Sequence, residues 1–303
     1  MTILKVRHVT TYAYKRPVGF GEHRILFRPR DSYDQRLLDS ELLISPEPSD
    51  VHWIHDVFGN CVAVANFDSK APNLRFETNI SLDHTPQLSP HFRSEKWARS
   101  WPFDYDAETL SDLAPSMRRQ YPDDGGATEA WARRFISPTG KTDTAHLLET
   151  MTYAIKEDFS YTRRTNPGTQ TPAMTLDSLS GTCRDFALLM MEAARSLGFA
   201  ARFVTGYIYV PSRDRHDVLG GGATHAWAQV FLPGAGWVEF DPTNGIIGNQ
   251  DLIRVGVARD PRQAIPLWGT HTGKRVDALG MTVQVNVTRG ETARPPLSPQ
   301  PQE

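Results

Sequence analysis

The sequence predicts an α+β protein, in which a β-rich N-terminal region precedes a half of the chain made of helices and then strands. Over roughly the first ninety residues, polar and apolar side chains alternate with a period of two, as in half-buried strands. Apolar residues at helical spacing appear only later, and strand-like segments follow them. Because strands and helices occupy separate blocks, the pattern favours an α+β fold over an alternating parallel-sheet fold.

The N-terminal region contains three strand signals. Residues 4–14 and 74–82 each place apolar or β-prone side chains on one face of an alternating pattern. Between them, the segment VHWIHDVFGNCVAVANF has two alternating runs separated by Gly59-Asn60, which predicts a hairpin. Short strands at this spacing predict a small β-sandwich-like unit.

The second half of the chain is predicted to place helices before strands. Apolar residues recur at helical spacing in residues 127–135 and more strongly in 144–156. A third helix follows Cys183, and Gly198 is typical of the residue that ends a helix. The strand-like segments that follow are ARFVTGYIYV, ATHAWAQVFL, GWVEFDPT and a final strand at residues 281–287.

These patterns divide the chain into four predicted segments. Residues 1–90 form the β-rich region, and residues 91–140 connect it to the second half. Residues 141–288 form an α+β core. The proline-rich residues 289–303 are predicted to be disordered.

Composition excludes several classes of protein. The chain has 33 basic and 35 acidic residues, so its charge gives no reason to expect a nucleic acid or a membrane surface as partner. No apolar run approaches the ~20 residues needed to cross a bilayer, and the N-terminus lacks the apolar core of a signal peptide. Two cysteines far apart in sequence do not suggest a disulfide framework. We therefore expect a cytoplasmic protein.

One of the two cysteines, Cys183, lies where a loop becomes an amphipathic helix. Thr182 is a good N-cap, and Asp185 completes the pattern of a capping box. The unpaired N–H groups and the positive end of the helix dipole favour the thiolate, which is the nucleophilic form of cysteine. The same N–H groups suit an oxyanion formed beside the sulfur. Taken alone, the position fits an ordinary helix-start cysteine equally well.

A thiolate nucleophile needs a base, and the base needs a group that orients it. The strand ATHAWAQVFL supplies His225, and the next strand supplies Asp241 at its end. Because the turn PGAG joins these strands, the two polar residues are expected to meet across the ladder. A Cys-His-Asp set on helix, strand and strand is typical of nucleophilic catalysis, so all three residues are predicted to be catalytic.

The motifs that carry this triad resemble a known family. GTCRDFA and THAWAQVFLPGAGWVEFDPTN are similar to the Cys, His and Asp motifs of the transglutaminase-like superfamily, whose core is similar to that of papain-like cysteine proteases. RHVTTYAYKRPV, LFRPRD and DVFGN resemble the β-rich N-terminal region of a bacterial transglutaminase-like group. By this resemblance Cys183 is the nucleophile, His225 the base and Asp241 the orienting carboxylate.

The resemblance also implies a chemistry. The reaction is acyl transfer at a peptide or protein amide through a thioester, which passes to water or to a primary amine. No metal or organic cofactor is implied. Because water is always in excess and transfer needs a site that excludes it, hydrolysis is favoured over amine transfer.

Four further residues are candidates for supporting the site. Tyr161 is a candidate second donor to the oxyanion, and Thr182 is the helix cap. Arg184 is either a solvated first-turn residue, which capping preferences favour, or a residue that fixes a loop near the thiol. Trp227 either flanks the site or, as is more usual for strand aromatics, fills the core. The second cysteine, Cys61, is expected to be a small buried apolar residue.

Two alternatives stay open at this stage. The three triad residues are also possible zinc ligands, although no CxxC or HxxxH pair accompanies them. The chain is also compatible with a non-catalytic protein that keeps the fold and binds a partner through its β-rich region.

Overall fold

The computed structural model describes residues 2–85, 93–121, 125–162, 168–210 and 223–290. The strands are β1 (Thr2–Ile25), β2 (Gln35–Ser45), β3 (Asp50–His55), β4 (Cys61–Asn66), β5 (Lys70–His84), β6 (Ser100–Trp101), β7 (Thr142–Asp143), β8 (Ser160–Tyr161), β9 (Ser180–Gly181), β10 (Ala201–Ile208), β11 (His225–Leu232), β12 (Gly236–Asp241), β13 (Ile246–Ile247), β14 (Leu252–Ala258), β15 (Leu267–His271) and β16 (Ala278–Arg289). The α-helices are α1 (Ala107–Met117), α2 (Ala127–Arg133), α3 (Thr144–Asp158), α4 (Pro172–Ser178) and α5 (Cys183–Ser196).

The N-terminal region is one curled, seven-stranded sheet built on β1. The strand order is β2-β5-β1-β4-β3, and β15 and β16 also pair with β1. The first part of β1 pairs with β5 and β16, whereas its last residues pair with β4 and β15, so this one 24-residue strand passes through both parts of the sheet. The predicted hairpin is confirmed: β3 pairs with β4, and Gly59 in the turn has a φ of 71°.

The last strand does not belong to the C-terminal core, where the sequence analysis put it. β16 pairs antiparallel with β1 from Tyr14↔Ala278 to Leu4↔Arg289. A polar-apolar alternation identifies a strand but not the sheet that it joins, because pairing depends on which edge is free in the folded chain. The predicted disordered tail lies outside the described residues from position 291 onward.

The second sheet carries the α+β core. Its five strands are ordered β13-β12-β11-β10-β14, all antiparallel to their neighbours. α5 packs on β10 and β11, and α2, α3 and α4 surround α5. The predicted helices at 127–135 and 144–156 and the predicted strands β10 to β12 are confirmed. Among the described residues, no helix has both the length and the apolar composition needed to cross a membrane.

Residues 91–140 do more than connect the two parts. The sequence pattern did not predict α1, and Trp131 and Ala132 of α2 join the same hydrophobic core as α5. Trp101 anchors the start of this segment, because its Nε1 donates to the carbonyl oxygen of Leu197 at 2.8 Å. The segment is therefore part of the core, and its burial depends on contacts with α5 that lie far away in sequence.

The helix α5 is buried along nearly its whole length. Twelve of its residues are buried, and Arg184 and Ser196 at its two ends are the exceptions. Arg195 and Glu192 form a buried ion pair on α5: Arg195 Nη1 donates to Glu192 Oε1 at 2.7 Å, and Glu192 also accepts the N–H of Gln120, which is far away in sequence, at 3.2 Å. A helix in this position is the centre around which the other core elements pack.

Replacing Leu189 by alanine tests this central role. Leu189 is 0% exposed, so Leu189→Ala is expected to lower the free energy of unfolding by about 2–5 kcal/mol, as cavity-forming substitutions do. Leu110→Ala on α1 is the matched control, because Leu110 is 41% exposed and its truncation should cost under ~1 kcal/mol. Urea unfolding followed by circular dichroism measures both. Equal losses for the two variants would contradict the central position of α5.

Candidate active site

Cys183 is the first residue of α5, and a short parallel ladder holds the loop before it. β8 pairs with β9, with Tyr161 opposite Gly181, and the chain enters the helix two residues later. Thr182 is the N-cap as predicted: its N–H and its hydroxyl donate to Asp185 Oδ2 at 2.8 and 2.9 Å. The cap fixes the first turn, so the thiol sits beside N–H groups that have no partner within the helix. Cys183 itself is 7% exposed.

Asp185 has a second function that the capping pattern did not predict. Its Oδ1 accepts the N–H of Gln170 at 2.7 Å, so this fully buried carboxylate ties the 168–170 segment to the start of α5. Asp185 also lies so close to Gly181 that a side chain there has no room: a Cβ on residue 181 would lie 2.8 Å from the Cβ of Asp185. The glycine two residues before the thiol is therefore required by packing.

His225 and Asp241 meet as the hairpin predicts. His225 Nε2 donates to Asp241 Oδ2 at 2.8 Å, and both side chains are fully buried. The carboxylate is held by two further donors: the N–H of Thr243 reaches Oδ1 at 2.9 Å, and Asn244 Nδ2 reaches Oδ2 at 2.9 Å. Thr243 and Asn244 were not predicted as site residues, although they directly follow Asp241-Pro242 in the motif.

The protonated form of His225 is favoured. Burial alone lowers the pKa of His225, but the charge and hydrogen bond of Asp241, assisted by Cys183, outweigh it and raise the pKa to about 10. The other ring nitrogen, Nδ1, is buried and has no partner at ordinary hydrogen-bond geometry among the described residues. Because Nε2 is engaged by Asp241, Nδ1 is the atom left to exchange a proton with the neighbouring thiol. The structure thus brings Cys183, His225 and Asp241 into one site.

Arg184 fixes a loop, and the solvated alternative for this residue is wrong. Its Nη2 donates to the carbonyl oxygen of Pro261 at 2.6 Å and its Nη1 to that of Ala264 at 3.3 Å. The guanidinium also lies over the ring of Phe203, 4.8 Å from the centroid. The residue after Cys183 therefore attaches the loop at 261–264 to the start of α5. A solvated arginine and an arginine that anchors a loop have the same local sequence pattern, so only the packing distinguishes them.

The remaining candidates lie near the triad with different surroundings. Trp227 is 0% exposed in an apolar group with Val204 and Leu252, and its ring centroid lies 5.9 Å from that of His225, so it both fills the core and flanks the imidazole. Tyr161 packs edge-on against Phe186, beside the loop that precedes the thiol.

Cys61 is half-buried, so the expectation of a buried residue was wrong. It begins β4 at the hairpin end, opposite His55 of an exposed strand.

Two family models match the chain. Residues 129–242, which contain all three triad residues, match the transglutaminase-like superfamily. Residues 4–83 match the bacterial transglutaminase-like N-terminal region. The second half of the chain therefore contains a region similar to the transglutaminase-like core, and the first part is similar to the N-terminal region of bacterial transglutaminase-like proteins.

Similar proteins extend over nearly the whole chain. An uncharacterized protein of Mycobacterium tuberculosis strain H37Rv is 27% identical over 299 residues, which cover 95% of this chain and 93% of that protein. One from Mycobacterium leprae strain TN is 28% identical over 290 residues, covering 93% and 98%. A Cytophaga hutchinsonii structure, provisionally named a cysteine protease, has a TM-score of 0.69 at 18% identity and covers 99% and 94% of the two chains. This last likeness shows the shared fold.

Alkylation tests whether the imidazole acts on the thiol. Because the pKa of His225 is raised to about 10, the imidazolium persists through neutral pH and is lost only as the pH rises toward 10. In the native protein Cys183 should therefore react with iodoacetamide near neutral pH, since the imidazolium stabilises the thiolate. In His225→Ala the reaction profile should move to higher pH. Rates are measured against pH by mass spectrometry of the two cysteine peptides.

Cys61 is the internal control in the same sample, and its profile should be the same in both proteins. An unchanged Cys183 profile in His225→Ala would show that the two side chains do not interact.

Proposed function

We propose that this protein is a cysteine-dependent acyl-transfer enzyme that cleaves an amide through a thioester on Cys183. The observation that carries the proposal is the buried His225–Asp241 pair, joined at 2.8 Å, beside a thiol at the start of a helix. Burying a charged pair costs free energy unless the two charges attract each other at short range and further hydrogen bonds satisfy their remaining polar atoms. An imidazolium between a thiol and a carboxylate gives the arrangement of nucleophile, base and orienting group that thiol catalysis needs.

Each residue has one task in the proposed reaction. The Cys183 thiolate attacks the amide carbonyl carbon, and the oxygen takes the negative charge near the first-turn N–H groups of α5. His225 gives its proton to the departing amine, the C–N bond breaks, and a thioester remains on the sulfur. A water molecule then attacks the thioester while His225 takes its proton, which releases the acid and the thiolate. Asp241 keeps the imidazole oriented through both steps.

The substrate class proposed here is a peptide or protein amide, with water as the favoured acceptor and a primary amine as the other. The provisional protease name of the Cytophaga hutchinsonii protein supports hydrolysis of a peptide bond. The alternative of a metal centre is disfavoured by the engagement of His225 Nε2 and Asp241 Oδ2 with each other. Cytoplasmic location stays a prediction.

The two cysteines provide a matched pair of variants. Cys183→Ala should abolish turnover while leaving the unfolding midpoint within a few degrees, because a first-turn side chain that loses one sulfur atom loses little packing. Cys61→Ala should leave turnover unchanged. Turnover of an amide panel and thermal unfolding are measured for both variants. If Cys61→Ala is the inactive one, the assignment of the nucleophile is wrong.

A product analysis decides between water and amine as acceptor. A glutamine-containing peptide and a panel of short amides are incubated with and without hydroxylamine, and ammonia and peptide masses are followed together. We expect acid or new N-termini without added amine, and partial diversion to hydroxamate when hydroxylamine competes for the same thioester. Product that appears only with amine would identify a transglutaminase. Absence of any product, with Cys183 still alkylated, would favour the non-catalytic binding protein.

A further inference from the structure

A cavity of about 830 Å³ with charged side chains in its lining lies between the N-terminal region and the five-stranded sheet, and the proposed function does not use it. The N-terminal side contributes Arg30, Asp34 and Asn60, and the sheet contributes Arg202, Glu239 and Arg254. This size suits a small organic molecule, and the charged side chains in the lining disfavour a purely apolar ligand. Its charges therefore decide what it can hold.

Two carboxylates of the cavity are bridged by one arginine. Arg254 Nη1 donates to Glu239 Oε1 at 2.5 Å, and Arg254 Nη2 donates to Asp34 Oδ1 at 3.1 Å. Asp34 Oδ2 accepts a further bond from Asn249 Nδ2 at 2.7 Å. This bridge joins the N-terminal region to the sheet and forms one wall of the cavity, where a single guanidinium balances one of two carboxylate charges.

Arg202 has no such neutralising partner. Its Nε donates at 2.6 Å to Oε1 of Gln229, an uncharged amide whose own Nε2 donates to Glu239 Oε1 at 2.6 Å. Its guanidinium stacks on Trp237, 4.1 Å from the ring centroid. Within the described ranges, the remaining N–H groups of Arg202 make no hydrogen bond and no ion pair with a carboxylate. Burial lowers the pKa of Arg202, and the positive charges of Arg254 and Arg30 lower it further, while the nearby carboxylate of Glu239 opposes this lowering.

The rest of the lining adds positive charge. Arg30 and Arg93 line the same cavity, and Asp31 is the third carboxylate. Four arginines thus face three carboxylates, which is a formal excess of one positive charge, and two of the three carboxylates share Arg254. A half-buried guanidinium whose planar donor fork is held by stacking and one hydrogen bond matches the two oxygens of a carboxylate or phosphate group.

We propose that this cavity is a binding site for a small multivalent oxyanion, a polycarboxylate or a phosphate compound, with Arg202 as its anchor. Arg93 and Arg30 supply further positive charge around the ligand. The Gln229 amide, held by Glu239, fixes the orientation of the anchor. Binding at this site does not depend on the chemistry proposed for Cys183, so the Cys183→Ala protein is expected to bind equally well.

Calorimetric titration of the full chain at constant ionic strength tests the site, with citrate and pyrophosphate as the two probes and acetate as a monovalent comparison. At least one of the multivalent probes should bind saturably, and acetate should bind far more weakly. The probe that binds more tightly identifies the ligand as a carboxylate or a phosphate compound. Arg202→Gln should weaken binding by at least about tenfold, since it removes a charge-assisted, two-pronged contact.

Arg133→Gln is the matched control, because Arg133 is an exposed arginine on α2 paired with Glu129. It should bind the probe as the native protein does. Arg93→Gln and Arg202→Lys are included in case Arg202→Gln does not fold; each should weaken binding, the first by loss of charge and the second by loss of the planar fork. Saturable binding by neither probe, or an equal loss in Arg133→Gln, would overturn the proposal.

Discussion

The hydrogen bond between His225 and Asp241 is the interaction on which the site depends. Neither the charged imidazole nor the carboxylate would be stable alone in the buried sheet, because an unpaired buried charge costs several kcal/mol. Together they satisfy each other, and Thr243 and Asn244 complete the carboxylate. The pair therefore requires β11 and β12 in one register, and the position of the thiol follows from how α5 packs on that sheet.

The same sheet is braced from the N-terminal side. The strand β14 would be an open edge, but side-chain amides pair with its backbone: Asn60 bonds both the carbonyl oxygen and the N–H of Val257, at 2.7 and 2.9 Å, and Gln35 does the same at Arg254. Next to it, Gly206 faces His225 in the ladder, and a Cβ there would lie 2.0 Å from the carbonyl oxygen of Ile253. The N-terminal region thus protects the β14 edge of the sheet, which only β10 separates from the strand that carries His225.

The N-terminal region also contacts the five-stranded sheet through a buried histidine. His8 on β1 shares a hydrogen bond of 3.0 Å with the hydroxyl of Tyr207 on β10. Burial lowers the pKa of His8 to about 4, so this histidine stays neutral where His225 is protonated. The two buried imidazoles differ because only His225 has a carboxylate partner. The N-terminal contact is therefore insensitive to pH across the neutral range, which suits a structural connection.

Local signals in the sequence were sufficient for the elements that carry the triad. The capping pattern at Thr182 and Asp185 and the turn that joins β11 and β12 each depend on residues near one another in the chain. They predicted the start of α5 and the two strands that carry His225 and Asp241. The tertiary structure alone decided the rest. It joined β16 to β1, turned Arg184 into a loop anchor, gave Asp185 a second partner, and enclosed Arg202 in a charged cavity. Those features depend on contacts between segments that are far apart in sequence. Alternation, capping and composition are local properties, and they do not predict which distant segments will meet.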